Sequence, residues 1–316
     1  MTPSARPTPV YLDCDTGVDD ALALALLLAS PEADLVGVGT VSGNTGAEQA
    51  AANTLALLAL AGRAGVPVAV GAGNASVPVP HIHGANGLGD VLLPASGESP
   101  AAESAAELLI GLSHTHAGRL HVVAVGPLTN LATALELDGT LPERVASVTV
   151  MGGAARSPGN ITAVAEANIG NDPEAARRVF AAPWDITLVP LDVTLVNRLT
   201  EDDRRRLEES GRPVARTLGL ILNRYFDFYV SVYGLRCAAL HDPLAAALAI
   251  GCVEPLLAPR VSVTIDDTHG PGRGQTICDL RGQWRDYPEQ PGVRSRVVLS
   301  TTQPLAPILM ERLLAL

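Results

Sequence analysis

The stretch VYLDCDTGVDDALALALLL, residues 10–28, joins an apolar run to four clustered acids and then to a run of helix formers. Val10 to Leu12 reads as a short buried strand. The segment after the acids is apolar almost all round, the signature of a buried helix. Gly17 supplies the turn between them. Asp13, Asp15, Asp19 and Asp20 therefore stand where a parallel strand ends and a helix begins, the edge of an α/β sheet at which ligands bind. Acids packed so closely repel one another unless positive charge lies among them, and no arginine occurs between Arg6 and Arg63. A hard divalent cation with oxygen ligands answers this need, and Ca²⁺ suits a loop of carboxylates and carbonyls. Capping of the helix by Asp19 and Asp20 accounts for one or two acids but leaves Asp13 and Asp15 without a role.

Outward from this unit, apolar runs alternate with helical ones. Strands are predicted at Asp34–Val41, Val66–Val70, Leu120–Val125, Val145–Met151 and Ile186–Leu191. Helices are predicted at Ala47–Leu60, Ala101–Leu112, Leu128–Leu137 and Pro173–Phe180. The order implies an α/β fold with a mostly parallel, doubly wound central sheet flanked by helices. From Thr200 the texture changes to a charged surface helix (EDDRRRLEE), a long aromatic helix (Pro213–Tyr233) and another at His241–Ile250. Late strands at Arg260–Ile265, Thr276–Leu280 and Arg294–Leu299 and a closing helix (Gln303–Leu316) complete these C-terminal additions. No linker or repeat demands a boundary, so residues 1–316 are expected to form one domain.

Bulk composition narrows the chemistry. A net charge of −11 argues against nucleic acid or an anionic membrane as partner. All 22 basic residues are arginine, which excludes lysine Schiff-base chemistry and a phosphate-loop lysine. The cysteines, at positions 14, 237, 252 and 278, show no paired spacing and read as free thiols in a reducing compartment. MTPSARPTPV has no apolar core of signal-peptide length, and Leu22–Leu28 is too short to span a bilayer. A soluble cytoplasmic protein is expected.

Several strand ends carry polar residues. VSGNTG offers Asn44, equally readable as a turn residue. The Gly-rich HIHGANGLGD, residues 81–90, is predicted to be a flexible lid holding His83 and Asn86. GPLTN follows a strand, so the Val125 carbonyl could ligate a hard cation. The segment 151–172, from Met151, places Asn160, Glu166 and Asn168 in surroundings too apolar for an ordinary surface loop. Two amides and a carboxylate match the needs of sugar hydroxyls. His241-Asp242-Pro243 opens a helix, where Asp242 could simply cap it.

Together, DCDTGVDDA, GPLTN, MGG, GNITAVAEANIGNDPEAA, GRGQTICD and HDP, taken over nearly the whole chain, resemble the inosine–uridine-preferring nucleoside hydrolase family. The resemblance implies calcium-dependent hydrolysis of the N-glycosidic bond of ribonucleosides. It implies Ca²⁺ held by Asp15, Asp20, Asp242 and the Val125 carbonyl, with Asp15 also deprotonating the attacking water and Asp13 supporting the cluster. Asp19 and Asn168 would bind the ribose diol, and Asn160 and Glu166 the 5′ end. Asn44 would lie near the sugar and His83 near the base; Met151 is a further substrate-binding candidate, and Tyr229 on the aromatic helix either packs against the base or belongs to the helix core. His241 would protonate or orient the leaving base. Histidine at 241, rather than an aromatic residue, resembles pyrimidine-accepting or broad-specificity members. Thr16 stands where the family often has proline, and Ala167 where an aromatic residue is common. A homodimer or homotetramer follows by the same analogy.

Two rival readings remain open on the residues alone. LDCDTGV also resembles the box of haloacid-dehalogenase-type phosphohydrolases, with Asp13 as nucleophile and Mg²⁺ as cofactor. That scheme gives Asp19 and Asp20 no role. The other is a non-catalytic ribose-binding protein on the same scaffold, against which every expected acid is present.

Overall fold

The computed structural model describes residues 6–73 and 79–316. Residues 1–5, part of the stretch read as lacking a leader, lie outside the described residues. In chain order the first half comprises β1 (Thr8–Cys14), α1 (Val18–Ala29), β2 (Ala33–Thr40), α2 (Ala47–Leu60), β3 (Val68–Val70), α3 (Pro80–His83), α4 (Ala105–Thr115), β4 (Leu120–Ala124), α5 (Thr129–Leu137) and β5 (Val145–Met151). Then come α6 (Ala167–Asn171), α7 (Pro173–Ala181), β6 (Ile186–Val189), α8 (Leu191–Thr194), β7 (Arg198–Thr200), α9 (Glu201–Glu208), α10 (Pro213–Tyr233), β8 (Cys237–Ala239) and α11 (His241–Ala249). The chain closes with β9 (Pro255–Leu257), β10 (Val263–Ile265), β11 (Thr276–Cys278), β12 (Ser295–Val297), β13 (Ser300–Thr301) and α12 (Ala306–Ala315).

Among the described residues seven strands form one sheet in the order β12-β6-β5-β4-β1-β2-β3. Every pairing in it is parallel. β1 lies between two strands, and every residue of it but the first, Thr8, is buried, which is why it reads as an apolar run without alternation. Its side chains still divide by parity. Val10, Leu12 and Cys14 join the core under α1, α10, α11 and α12, while Tyr11 joins the core under α4, α5 and α7. Helices thus cover both faces, as expected.

From β1 the chain runs outward through β2 and β3, then returns to place β4, β5 and β6 on the other side. The reversal leaves a crevice between the carboxyl ends of β1 and β4, the topological switch point where such sheets bind ligands. The acids at the end of β1 and Val125 after β4 flank it.

Three regions differ from the sequence reading. The Gly-rich segment expected as a lid opens with a helical turn, α3, initiated by Pro80. Its glycines carry the positive φ that the tight path needs, Gly84 at 81° and Gly87 at 83°. Short pairs β7–β8, β9–β13 and β10–β11 occur where longer strands or no strands were read. The late strand β12 joins the main sheet as an edge beside β6. Among the described residues no helix is long and apolar enough to cross a membrane.

Candidate active site

The strand–helix junction after β1 packs its acids inward. Asp13, Asp15, Asp19 and Asp20 are buried, as is Asp242 in the first turn of α11. Asp20 closes the α1 N-terminus: its Oδ2 accepts from Gly17 N–H (2.8 Å) and its Oδ1 from Asp15 N–H (3.1 Å). The capping role is therefore real for Asp20, but it employs only one of five acids. Asp15 is wrapped by the turn after β2. Asn44 N–H donates to Asp15 Oδ2 at 2.6 Å, and the Asn44 amide is shared between Asp15 Oδ1 (3.2 Å) and Asp20 Oδ2 (3.0 Å). Asp13 faces the other core, where it accepts from Tyr11 Oη (3.1 Å) and from the Asn130 amide (3.1 Å to Oδ2). Asn130 also donates to the Thr40 carbonyl and accepts from Ala72 N–H, tying three strand ends together.

Carboxylate oxygens of Asp19, Asp20 and Asp242 all lie within 4.8 Å of one another. Asp19 thus belongs to the tightest acid group, while Asp15 stands beside it through Asp20. Among the described residues only two buried side-chain oxygens lack a hydrogen-bond partner, and one is Asp19 Oδ1. An unpartnered buried carboxylate oxygen is costly unless a ligand completes it.

The electrostatics follow from burial without counter-charge. Burial, then the Asp20 charge, pushes Asp15 well above the usual carboxylate range. Burial and the charges of Asp19, Asp20 and Asp15 do the same to Asp242. Asp19 is pushed up to about 6 by burial although Tyr225 opposes it. Each of these carboxylates would be relieved by a cation among them. The donor set is all oxygen, which fits a hard divalent ion.

A second group lies along β4 and β5. The Asn168 amide donates to the Val125 carbonyl (2.8 Å) and the Met151 carbonyl (3.1 Å). A carbonyl has two lone pairs, so Val125 could still ligate a cation while accepting from Asn168. Glu166 caps α6, its oxygens taking N–H donors from Asn168 (3.0 Å), Ile169 (3.1 Å) and Gly153 (2.8 Å). Burial nevertheless pushes Glu166 up to about 7. Asn160 is exposed; its side-chain oxygen accepts from Ala167 N–H (2.9 Å) and its N–H donates to the Ala165 carbonyl (3.1 Å).

A third group faces the acids from α10. The Tyr225 hydroxyl donates to Asp19 Oδ2 at 2.9 Å, and Tyr229 is hydrogen-bonded to His241 Nε2 at 2.6 Å. His241 Nδ1 is in turn bonded to Thr194 Oγ1 at 2.7 Å. His83, on α3, accepts from Val18 N–H through Nδ1 (3.1 Å). Burial pulls both histidines down to about 4. Nδ1 of His83 also lies 3.9 Å from Asp19 Oδ1, but an accepting, neutral imidazole makes no ion pair there.

Sequence reasoning missed Tyr225, Thr194 and Asn130. Tyr225 sits four residues before Tyr229 on one helix face, a spacing that could have found it. Asn130 closes GPLTN, where the sequence pointed only to the Val125 carbonyl ahead of it. Thr194 lies in LDVT, which carried no signal by itself.

Buried acids and amides gathered at a switch point define a site for a cation and a hydroxyl-rich small molecule. Comparisons with known proteins make this specific. The sequence profile of the inosine-uridine preferring nucleoside hydrolases matches residues 10–301. A probable uridine nucleosidase 2 from Arabidopsis thaliana is 33% identical, covering 96% of this chain and 97% of that protein. An inosine-uridine preferring nucleoside hydrolase from Crithidia fasciculata is 37% identical over 87% of this chain and 89% of its own. The solved structure of a plant nucleoside hydrolase, the PpNRh1 enzyme, superposes with a TM-score of 0.89 at 31% identity, over 98% of this chain and all (100%) of that one. The chain belongs to the inosine-uridine preferring nucleoside hydrolase family. It is an enzyme that hydrolyses the N-glycosidic bond of ribonucleosides.

Proposed function

We propose that this hydrolysis depends on Ca²⁺ and accepts uridine, with Asp15 as general base and His241 assisting the departing base. The observation that supports it most is the buried acid cluster with its unpartnered Asp19 Oδ1 and no arginine among its hydrogen-bond partners. Asp15, Asp20, Asp242 and the Val125 carbonyl would hold the cation, which supplies Lewis acidity toward water and the sugar hydroxyls.

The chain's own groups do the rest. Asp15, fixed by Asn44, takes the proton of a water attacking C1′ from the face opposite the base. Asp19 and Asn168 hold the 2′- and 3′-hydroxyls, and Glu166 with Asn160 receives the 5′ end. The surrounding carboxylates stabilise the oxocarbenium-like charge that develops on the sugar. His241 is held neutral by burial, so it assists the departing base by orienting a hydrogen bond to it through Tyr229 rather than as a standing imidazolium. Histidine at 241 and the names of the relatives, uridine for one and inosine-uridine for another, support a pyrimidine or broad preference.

A panel of inosine, uridine, cytidine and adenosine, assayed for reducing sugar with and without chelator, tests the reading. Free base and ribose from uridine, lost on chelation and restored by Ca²⁺, are expected. Phosphate released from nucleotides without free base would instead support the phosphohydrolase reading.

A further inference from the structure

α8 is a single helical turn, Leu191-Asp192-Val193-Thr194, placed directly after β6. Its two polar side chains bond to two different segments, α11 and the connection between β5 and α6. Thr194, fully buried, bonds His241 Nδ1 at 2.7 Å. Asp192 gathers three successive backbone donors from the connection between β5 and α6: Ala155 N–H (2.8 Å), Arg156 N–H (2.8 Å) and Ser157 N–H (3.2 Å). Consecutive N–H groups of this kind form a concavity for an anion, and here the anion is a side chain of the chain itself. The Leu191 N–H adds a bond to the Gly153 carbonyl at 2.9 Å.

The connection 152–166 has no helix or strand of its own, yet it ends in Glu166 and carries Asn160. Glu166 meets its start again by accepting Gly153 N–H. A segment of this length without regular structure holds one position only if its backbone donors are claimed. Asp192 claims three of them.

We propose that α8 is a bracket in which Asp192 and Thr194 are positioning residues: Asp192 sets the loop that receives the 5′ end of the sugar, and Thr194 sets the ring of His241. Neither touches the reacting atoms. The inference rests on the roles given above to Asn160, Glu166 and His241, and it adds that one turn fixes the spacing between them. Thr194 also sets which edge His241 presents, because bonds at both ring nitrogens leave no freedom to flip.

The test uses three substrates on the metal-loaded enzyme: uridine, 5′-deoxyuridine and p-nitrophenyl riboside, whose leaving group departs without a proton. Thr194→Val is expected to lower kcat on uridine about tenfold to a hundredfold, with p-nitrophenyl riboside changed less than about twofold. Thr194→Ser, which keeps the hydroxyl, should restore uridine turnover. Asp192→Asn is expected to lower kcat/KM about tenfold on uridine while leaving 5′-deoxyuridine nearly unchanged, so that the preference for a 5′-hydroxyl collapses. If Asp192→Asn does not fold, Asp192→Glu, which keeps the charge but moves the acceptors, is judged by the same ratio. Equal losses on all substrates, or no rescue by serine, would show ordinary scaffolding and overturn the bracket. Wild-type enzyme inert on all three would instead count against the function proposed above.

Discussion

The acid cluster at the end of β1 and the charged patch on α9 use the same residue types to opposite ends. On α9, Glu201 accepts from Arg204 (2.8 Å) and Arg236 (3.0 Å), and its carboxyl is pulled down to about 2, first by Arg204. At the sheet edge Asp19 is pushed up to about 6, and Asp13 and Glu166 to about 7, all chiefly by burial. The chain could have placed arginine in both regions, since it has 22 basic residues, all arginine by sequence. Of the two regions, it does so on α9. Where acids are buried and left without a guanidinium, their compensation is expected from outside the polypeptide.

The sharpest way to break this contrast is Asp15→Ala, which is expected to abolish turnover, a loss of about a thousandfold or more in kcat measured by base release. Wild-type rates in that variant would remove Asp15 from the role of base. Gly43→Ala should come next, with a loss on the order of a hundredfold. A β-carbon there would overlap the Asp15 carboxylate, so the proposed base is displaced while every acid is kept. Unchanged kcat with an unchanged response to Ca²⁺ would mean the turn yields without disturbing Asp15.

Acidification should act on the two regions with opposite sign. Asp19 is raised from 3.8 to about 6, so in the cation-free protein its ionised form is a burden that appears as pH rises through that window and is relieved as pH falls. Cation binding needs the ionised form, so the gap in Tm between Ca²⁺-loaded and chelated protein should shrink from pH 7 to pH 4, read by thermal melts at ~0.5-unit steps. A gap that widens on acidification would contradict the cluster's raised values. Glu201 behaves conversely: its contribution is present above the ordinary carboxylate range and is lost as pH falls toward 2. The smallest effect is expected for Glu201→Gln, a stability loss of about 1 kcal/mol or less because the pair is partly solvated, with kcat unaltered.

These residues also mark what the sequence made legible. The DCDTGVDD cluster, the strand before it and the buried helix after it were readable because propensity, burial pattern and turn chemistry agree there. The helices 47–60 and 213–233 were readable end to end for the same reason. α8 and α3 were not, because four residues are too few for a period to show. The place of β12 beside β6 was hidden as well, since strand order is decided by packing between segments about a hundred residues apart rather than by either segment. In the site, side chains of rare type in the wrong company, such as five acids or a histidine before an aspartate, announced themselves. Tyr225 and Thr194 did not, since each looks like an ordinary helix residue until its partner is known.

The acid cluster is hemmed in partly by residues with no side chain at all. A β-carbon at Gly17 would come within 2.5 Å of His83 Nδ1, and one at Gly43 would strike Asp15. Variation is therefore closed to this enzyme at these two positions, where any side chain would displace His83 or Asp15. Laboratory libraries aimed at altered nucleobase selectivity are therefore better aimed away from these glycines, at α10 and the α3 turn, where Tyr229 and His83 stand.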